Sequence, residues 1–222
     1  MQNELEESII DATMANDLEG IKNAIQLGID INHQDFFGKT ALHYIESVEA
    51  AQLLIDHGAD PNIADYNNRP PLFDVNDPEL AIFLVDHGAD AKFQDKDGLT
   101  AMYIWVDFPK VVQRLLVEGA DPNIQLVTGS MIIKRGNTAL HKVGNLESAQ
   151  LLVKHGANAT IRNIEKQPPF IRPPEKFNVI LKPYMKSSVY FQLTFKQNPA
   201  SPYLTLRIPD WPEIPPFIIN SP

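Results

Sequence analysis

Histidine is the residue in this chain whose placement most invites a chemical reading. Six are present, and three of them, His57, His87 and His155, sit in near-copies of one phrase: "LLIDHGADPN", "FLVDHGADAK" and "LLVKHGANAT". Zinc would require each ligating nitrogen within about 2.1 Å of the metal. Packed helices stand roughly 8–10 Å apart, and no acidic or thiolate complement lies beside this slot. The slot therefore reads as a solvent-facing helix end, where an imidazolium also favours the helix dipole. His43 and His141 fall in a second phrase, "TALH", whose last place is taken by Phe73 and Tyr103 in other copies, which argues against catalysis. His33 adds nothing. Cysteine is absent, excluding disulfides, thiolate metal sites and cysteine nucleophiles. No nucleophile elbow, P-loop, HExxH or dinucleotide fingerprint appears. "DYNN" and "DKDG" begin like calcium loops, but neither reaches the glutamate that closes an EF-hand. No pair among the many carboxylates is singled out for acid–base work. The expectation is a chain that is not an enzyme and takes no metal and no cofactor.

Charge narrows the partners. Residues 1–160 carry 24 Asp and Glu against 11 Lys and Arg, whereas residues 161–186 carry 2 against 6. An acidic body repels a phosphate backbone, so nucleic acid is excluded as a partner, and a basic protein would be steered towards it. No run of about eighteen apolar residues occurs, so no membrane span is expected. The acidic start, "MQNELEESII", does not read as a secretory leader. With no cysteine, the chain suits a reducing interior and is expected to be cytoplasmic.

What positions these residues is a repeat. Gly28, Gly58, Gly88, Gly119 and Gly156 each follow an apolar run, about thirty residues apart. A second marker keeps the same period: "GKTALHY" at Gly38, "NRPPLFD" at Asn68, "GLTAMYI" at Gly98, "GNTALHK" at Gly136 and a degenerate "KQPPFI" at Lys166. Thr40, Thr100 and Thr138 can cap a first helix, and Pro70 and Pro168 suit a first helical turn. A second helix follows, with Val48, Ala51, Leu54 and Ile55 on one apolar face in one unit and Leu80, Phe83 and Leu84 in the next. Asp77–Pro78 starts the latter, and the glycine of "HGAD" ends each copy, since glycine takes the left-handed conformation at low cost. One helix pair cannot bury its apolar face alone, whereas stacked neighbours can.

Units reading "G-x-T-A-L-H … L-L-x-x-G-A-D-x-N" resemble ankyrin repeats, over residues 4–186. The resemblance implies an all-α repeat solenoid of antiparallel helix pairs with β-turn fingers. Units are expected at 4–34, 35–64, 65–94, 95–125, 126–162 and 163–186, the last a capping copy whose "EKFNVILKPYMKS" reads as a helix. Three features depart from the family. The stretch from Thr40 to Gly58, or Pro70 to Gly88, is about three residues short, so first helices should be short. The finger from Ile124 to Gly136 is about seven residues longer than its neighbours. The last unit lacks "GAD". Beyond the array, residues 187–222 alternate apolar and polar in "VYFQLTF" and "LTLRI", predicting a β-hairpin, and end in a proline-rich extension.

The resemblance also implies a protein-binding module that uses finger tips and first-helix edges on a concave face. The residues at those slots are Phe36, Phe37 and Lys39; Tyr66, Asn67 and Arg69; Lys96, Asp97 and Leu99; and Asn137. Met131 and Ile132, with Val127 and Ile133, would surround the tip of the long finger. Aromatics and arginine dominate interface energetics, and one of Phe36 and Phe37 is expected to pack beneath its own finger. Trp105 and Tyr103 are expected in the core. The partner expected is a basic protein, a toxin or a host protein, bound by a chain that is monomeric on its own. Small arrays of this style look bacterial, as immunity-type antitoxins or secreted effectors. The alternative is a structural scaffold or homo-oligomeric assembly subunit.

Overall fold

The computed structural model describes residues 2–127, 135–171, 179–180, 194–197 and 204–207. The chain divides into two compact units, Met1–Ala120 and Asp121–Pro222.

The first unit opens with a helix pair, α1 (Gln2–Met14) and α2 (Leu18–Gln26). Asp17 caps α2 by accepting the Gly20 N–H at 3.0 Å. Three copies of a shorter design follow. A 3-10 turn at Ala41–Tyr44 precedes α3 (Val48–Asp56), and another at Pro71–Phe73 precedes α4 (Pro78–Asp86). The third copy pairs α5 (Ala101–Ile104) with α6 (Pro109–Val117). First helices are thus single turns, as the shortened spacing requires. Thr40 forms a capping box with His43, and Thr100 Oγ1 accepts the Tyr103 N–H at 3.2 Å. Where threonine is replaced, Pro71 opens the turn without a donor to satisfy. Ser47 and Asp77 cap α3 and α4, and Gly58 and Gly88 end them at φ +93° and +94°.

The buried positions of each second helix repeat: Ala50, Ala51 and Leu54; Leu80, Ala81 and Leu84; Val111, Val112 and Leu115. Val48, Ile55 and Phe83, expected on that face, are only half-buried, because the face centres on the third, fourth and seventh helical residues. Within this unit α3 packs between α2 and α4, and α4 packs against α6. Each central helix therefore buries its leucine on neighbours to both sides, a gain of about 1.5–3 kcal/mol per side chain. Trp105 is core, as expected: it is 3% exposed and its Nε1–H donates to the Leu72 carbonyl at 3.2 Å.

The second unit holds α7 (Ala139–Lys142) and α8 (Leu146–Lys154), the latter capped by Asn145 and ended by Gly156 at φ +90°. Leu140, Val143, Ala149 and Leu152 are buried. The base of the long finger closes as a hairpin: Leu126 N–H donates to Asn137 O at 3.0 Å and Gly136 N–H to Leu126 O at 2.8 Å. Its tip, with Met131 and Ile132, lies outside the described residues. The helix expected over "EKFNVILKPYMKS" is corrected at its centre. There β2 (Val179–Ile180) pairs antiparallel with β1 (Phe170–Ile171). Two adjacent β-branched residues, in a stretch bounded by Pro174 and Pro183, favour extended backbone over helix. Farther on, β3 (Thr194–Gln197) and β4 (Leu204–Arg207) pair antiparallel, with Phe195 opposite Leu206.

Candidate protein-binding face

The fingers at 35–39, 65–69, 95–99 and 163–167 are each pinned by their first residue. Asp35 Oδ1 accepts the N–H groups of Phe37 (2.8 Å) and Lys39 (2.9 Å). Asp65 Oδ1 does the same for Asn67 and Arg69, both at 2.9 Å, and Asp95 Oδ1 for Asp97 and Leu99, both at 2.8 Å. In the second unit Asn163 Oδ1 takes Glu165 (3.0 Å) and Gln167 (2.9 Å). One oxygen thus fills the inside of the turn. Neighbouring fingers of the first unit are joined as well. Tyr66 N–H donates to Phe37 O at 3.1 Å, and Lys96 Nζ to Tyr66 O at 3.2 Å. Gly38, at φ +79°, makes the first of these possible, since a Cβ there would stand 2.8 Å from the Tyr66 nitrogen.

On this scaffold Phe36, Phe37 and Tyr66 are 88%, 62% and 68% exposed. The two phenyl rings meet edge-on, centroids 5.7 Å apart and planes at 82°. The expectation that one of them packs beneath its finger is overturned, because the Asp35 carboxylate already occupies that space. The other candidates divide. Asn67, Lys96 and Asp97 share the exposed tips. Lys39, Arg69 and Leu99 lie at the finger roots, half-buried. Lys39 Nζ is 2.7 Å from Asp74 Oδ2 and 5.3 Å from the Tyr44 ring centroid, while Arg69 Nε donates to Asp95 Oδ2 at 3.3 Å. In the second unit Asn137 is half-buried and its Oδ1 accepts from Asn163 Nδ2 at 3.0 Å.

The carboxylates are largely committed to architecture. Besides the finger aspartates, Asp30, Asp60, Asp90 and Asp121 each accept the N–H two residues on, at 2.8–2.9 Å. Asp35 Oδ2 also accepts the Tyr44 hydroxyl at 2.6 Å. Burial would raise the Asp35 pKa, but the Tyr44 hydroxyl and the two amides outweigh it and hold the carboxyl below its usual range. Burial and then the Asp35 bond push the Tyr44 phenol upward.

The histidines have structural work. Thr40 N–H donates to His43 Nδ1 at 3.0 Å, and His43 Nε2 lies 3.0 Å from the Arg69 carbonyl. A carbonyl can only accept, so Nε2 carries the proton and Nδ1 the lone pair: the ring is neutral. Burial lowers its pKa, offset in part by the Arg69 carbonyl. His141 repeats the arrangement between Thr138 (3.1 Å) and Gln167 (3.2 Å), and burial lowers its pKa too. His57 and His87 cap their own helices, Nδ1–H donating to Leu53 O (2.8 Å) and Phe83 O (2.7 Å). Among the described residues no cluster of His, Asp and Glu is placed to hold a metal ion, and no helix is long and apolar enough to cross a membrane.

One ladder escaped the sequence reading. Asn32 Nδ2 donates to Gly58 O at 3.1 Å while its Oδ1 accepts Asp60 N–H at 2.8 Å. Asn62 does the same with Gly88 (2.9 Å) and Asp90 (2.8 Å), and Asn123 with Gly156 (3.0 Å) and Asn158 (2.7 Å). Its signal was an asparagine four residues after Gly28, Gly58 and Gly119, with Lys92 in that place after Gly88.

Helix pairs of one period, glycine-ended second helices and aspartate-pinned fingers together mark a stacked repeat. No curated protein matches the chain. Family profiles do: one for "Ankyrin repeats (3 copies)" over residues 73–163, and one for "Ankyrin repeat" over residues 37–66. The chain belongs to the ankyrin repeat family, whose repeats serve as protein–protein interaction modules.

Proposed function

We propose that this chain captures a protein partner on the finger tips of residues 35–39, 65–69 and 95–99, by binding and without catalysis. Phe36, Phe37 and Tyr66 are the anchors, Asn67, Lys96 and Asp97 the polar rim, and Lys39, Arg69 and Leu99 the support beneath. Asn137, with Met131 and Ile132 of the long finger, would offer a separate contact belonging to the second unit. The observation that carries the reading is three large aromatics held out to solvent by turns whose backbone is pinned from within. Preorganised aromatics lose little conformational freedom on binding, which is what makes them effective anchors.

The partner is a basic protein, and the chain acts as an immunity-type antidote or an effector on it. The excess of carboxylates over residues 1–160 supports this as long-range steering, which raises encounter rates more than it tightens the complex. Contact and steering are then separable. The Phe36→Ala, Phe37→Ala, Tyr66→Ala triple variant should fall off partner capture by at least about tenfold, through the dissociation rate. Added salt should slow association and leave dissociation nearly unchanged. A triple variant that melts much earlier than the parent would mean that these side chains are core, and retained capture would mean that the interface lies elsewhere. A parent that elutes as an obligate oligomer, made monomeric by the same substitutions, would favour the scaffold reading.

A further inference from the structure

We infer that His43 is an acid-operated tie on the finger it reaches, so that acidification loosens residues 65–69 and leaves the neighbouring finger, 95–99, closed. The release belongs to the finger itself, whatever the tips bind. It follows from where the ring stands and from which of its nitrogens carries the proton.

Both fingers are closed at the root by a bond between their ends, Asp65 N–H to Arg69 O at 2.8 Å and Asp95 N–H to Leu99 O at 3.0 Å. On the first, the closing carbonyl also takes an imidazole from the preceding copy, His43 Nε2–H on Arg69 O at 3.0 Å. The other ring nitrogen accepts the Thr40 N–H. The tie therefore needs a lone pair on Nδ1, and a proton there would set two N–H groups face to face across 3.0 Å. The Thr40 hydroxyl, 3.1 Å from Nδ1, can turn to accept the new proton, but the amide loses its acceptor inside a buried site. Swinging the ring towards water relieves both the amide and the buried charge, and it takes Nε2 off the finger. Finger 95–99 is built differently at this point. Phe73 stands in the histidine slot before it, and Pro70, in the threonine slot, brings no N–H to be accepted. Of the charged groups around His43, Asp74 and Asp65 favour the imidazolium and Lys39 opposes it, but burial is the largest influence and lowers the pKa. On α1 and α3, which also pack on this turn, Asp11, Glu49 and Asp56 stand exposed. Finger 65–69 carries Tyr66, whose N–H holds Phe37 O, so a loosened root slackens both aromatic tips.

The test is residue-resolved amide hydrogen exchange on the full chain at about pH 7.5 and about pH 5.5, each rate divided by that of an unstructured amide at the same pH. A ring that has swung free titrates near its ordinary value of about 6.5, so the open form gains at most about tenfold over this interval. Protection at the Thr40 and Asp65 amides should fall several-fold, up to about tenfold, while the Asp95 amide keeps its protection within about twofold. In His43→Phe, Asp65 protection should be lower at neutral pH and should no longer respond to acid. If that variant is too unstable to study, the parent alone decides, because finger 95–99 has the same aspartate pin and differs at the histidine slot. An equal fall at Asp65 and Asp95, as global opening or protonation of the pins would give, overturns the inference. So does unchanged protection at Thr40 and Asp65, which would mean that the ring takes its proton in place.

Discussion

Replacing His43 by phenylalanine should destabilise the protein at neutral pH by an amount that shrinks as the solution is acidified. Phenylalanine fills this slot naturally at Phe73, which is 8% exposed, so packing survives the change. What is lost is the bridge. The buried Thr40 N–H loses its acceptor, and the Arg69 carbonyl loses its donor. An unpaired buried polar group costs about 1–3 kcal/mol, and the Arg69 carbonyl sits near enough to solvent to recover part, so about 2–4 kcal/mol is expected in all. The pH dependence follows from the neutral ring. Burial lowers the folded pKa of His43, so the stability it contributes is complete above the unfolded value. That value is about 6.5, and below it the unfolded chain binds a proton that the folded one refuses. Parental stability then falls by at most about 1.4 kcal/mol per pH unit from this group, until the folded pKa is passed. The variant lacks that loss. Urea denaturation of both proteins from about pH 7.5 to about pH 5.5, above the range where carboxylates dominate, reads the difference directly. His141 is present in both and cancels. A gap that stays constant over this range would show that His43 accepts a proton without breaking its bonds, and the assigned neutral tautomer would be wrong.

Three further substitutions probe the scaffold. Gly38→Ala places a Cβ at φ +79° and 2.8 Å from the Tyr66 nitrogen, so thermal unfolding should show a loss of about 1–3 kcal/mol together with weakened partner binding. Lys92→Asn should extend the asparagine ladder to the Gly119 carbonyl and raise the urea midpoint by the equivalent of about 1 kcal/mol; no gain would mean that the ladder reports the stacking and does not drive it. Ser148 is fully buried with no partner for its hydroxyl, in the slot held by Ala50, Leu80 and Val111 elsewhere, so Ser148→Ala should stabilise by about 1 kcal/mol in the same assay.

Repetition made the fold readable before any coordinates. Gly58 and Gly88 in one frame and Thr40 and Thr100 in another located the helix ends, and the short step between the frames located the single-turn first helices. What was misread lay where the period fails. "EKFNVILK" has enough apolar residues for a helix, but Val179 and Ile180 pair as a strand with Phe170 and Ile171. Composition cannot decide between those outcomes when a stretch is short and flanked by prolines. The fate of Phe36 and Phe37 was hidden for a different reason. Whether a tip aromatic folds under its finger depends on what else fills the turn, and that is the Asp35 carboxylate, a residue the sequence offered only as part of the net charge.

That carboxylate changes how the acidity should be understood. Asp30, Asp60, Asp90 and Asp121 follow from the turn after each second helix, and Asp35, Asp65 and Asp95 from each finger. A repeat that needs an aspartate in each of two turns becomes acidic by being repeated, whatever it binds. The residues that follow the finger's first residue obey no such rule: Phe36 and Phe37, then Tyr66 and Asn67, then Lys96 and Asp97, and, after Asn163, Ile164 and Glu165. Positions that repeat are fixed by the backbone they serve, and positions that vary within the same turn are free of that duty. On the function proposed above, recognition falls to the varying pair, while the acidic background acts at a distance. A charge-neutral change of the tip pair, such as Phe36→Ala with Phe37→Ala, should speed dissociation of the complex, whereas Asp60→Asn should chiefly slow its formation.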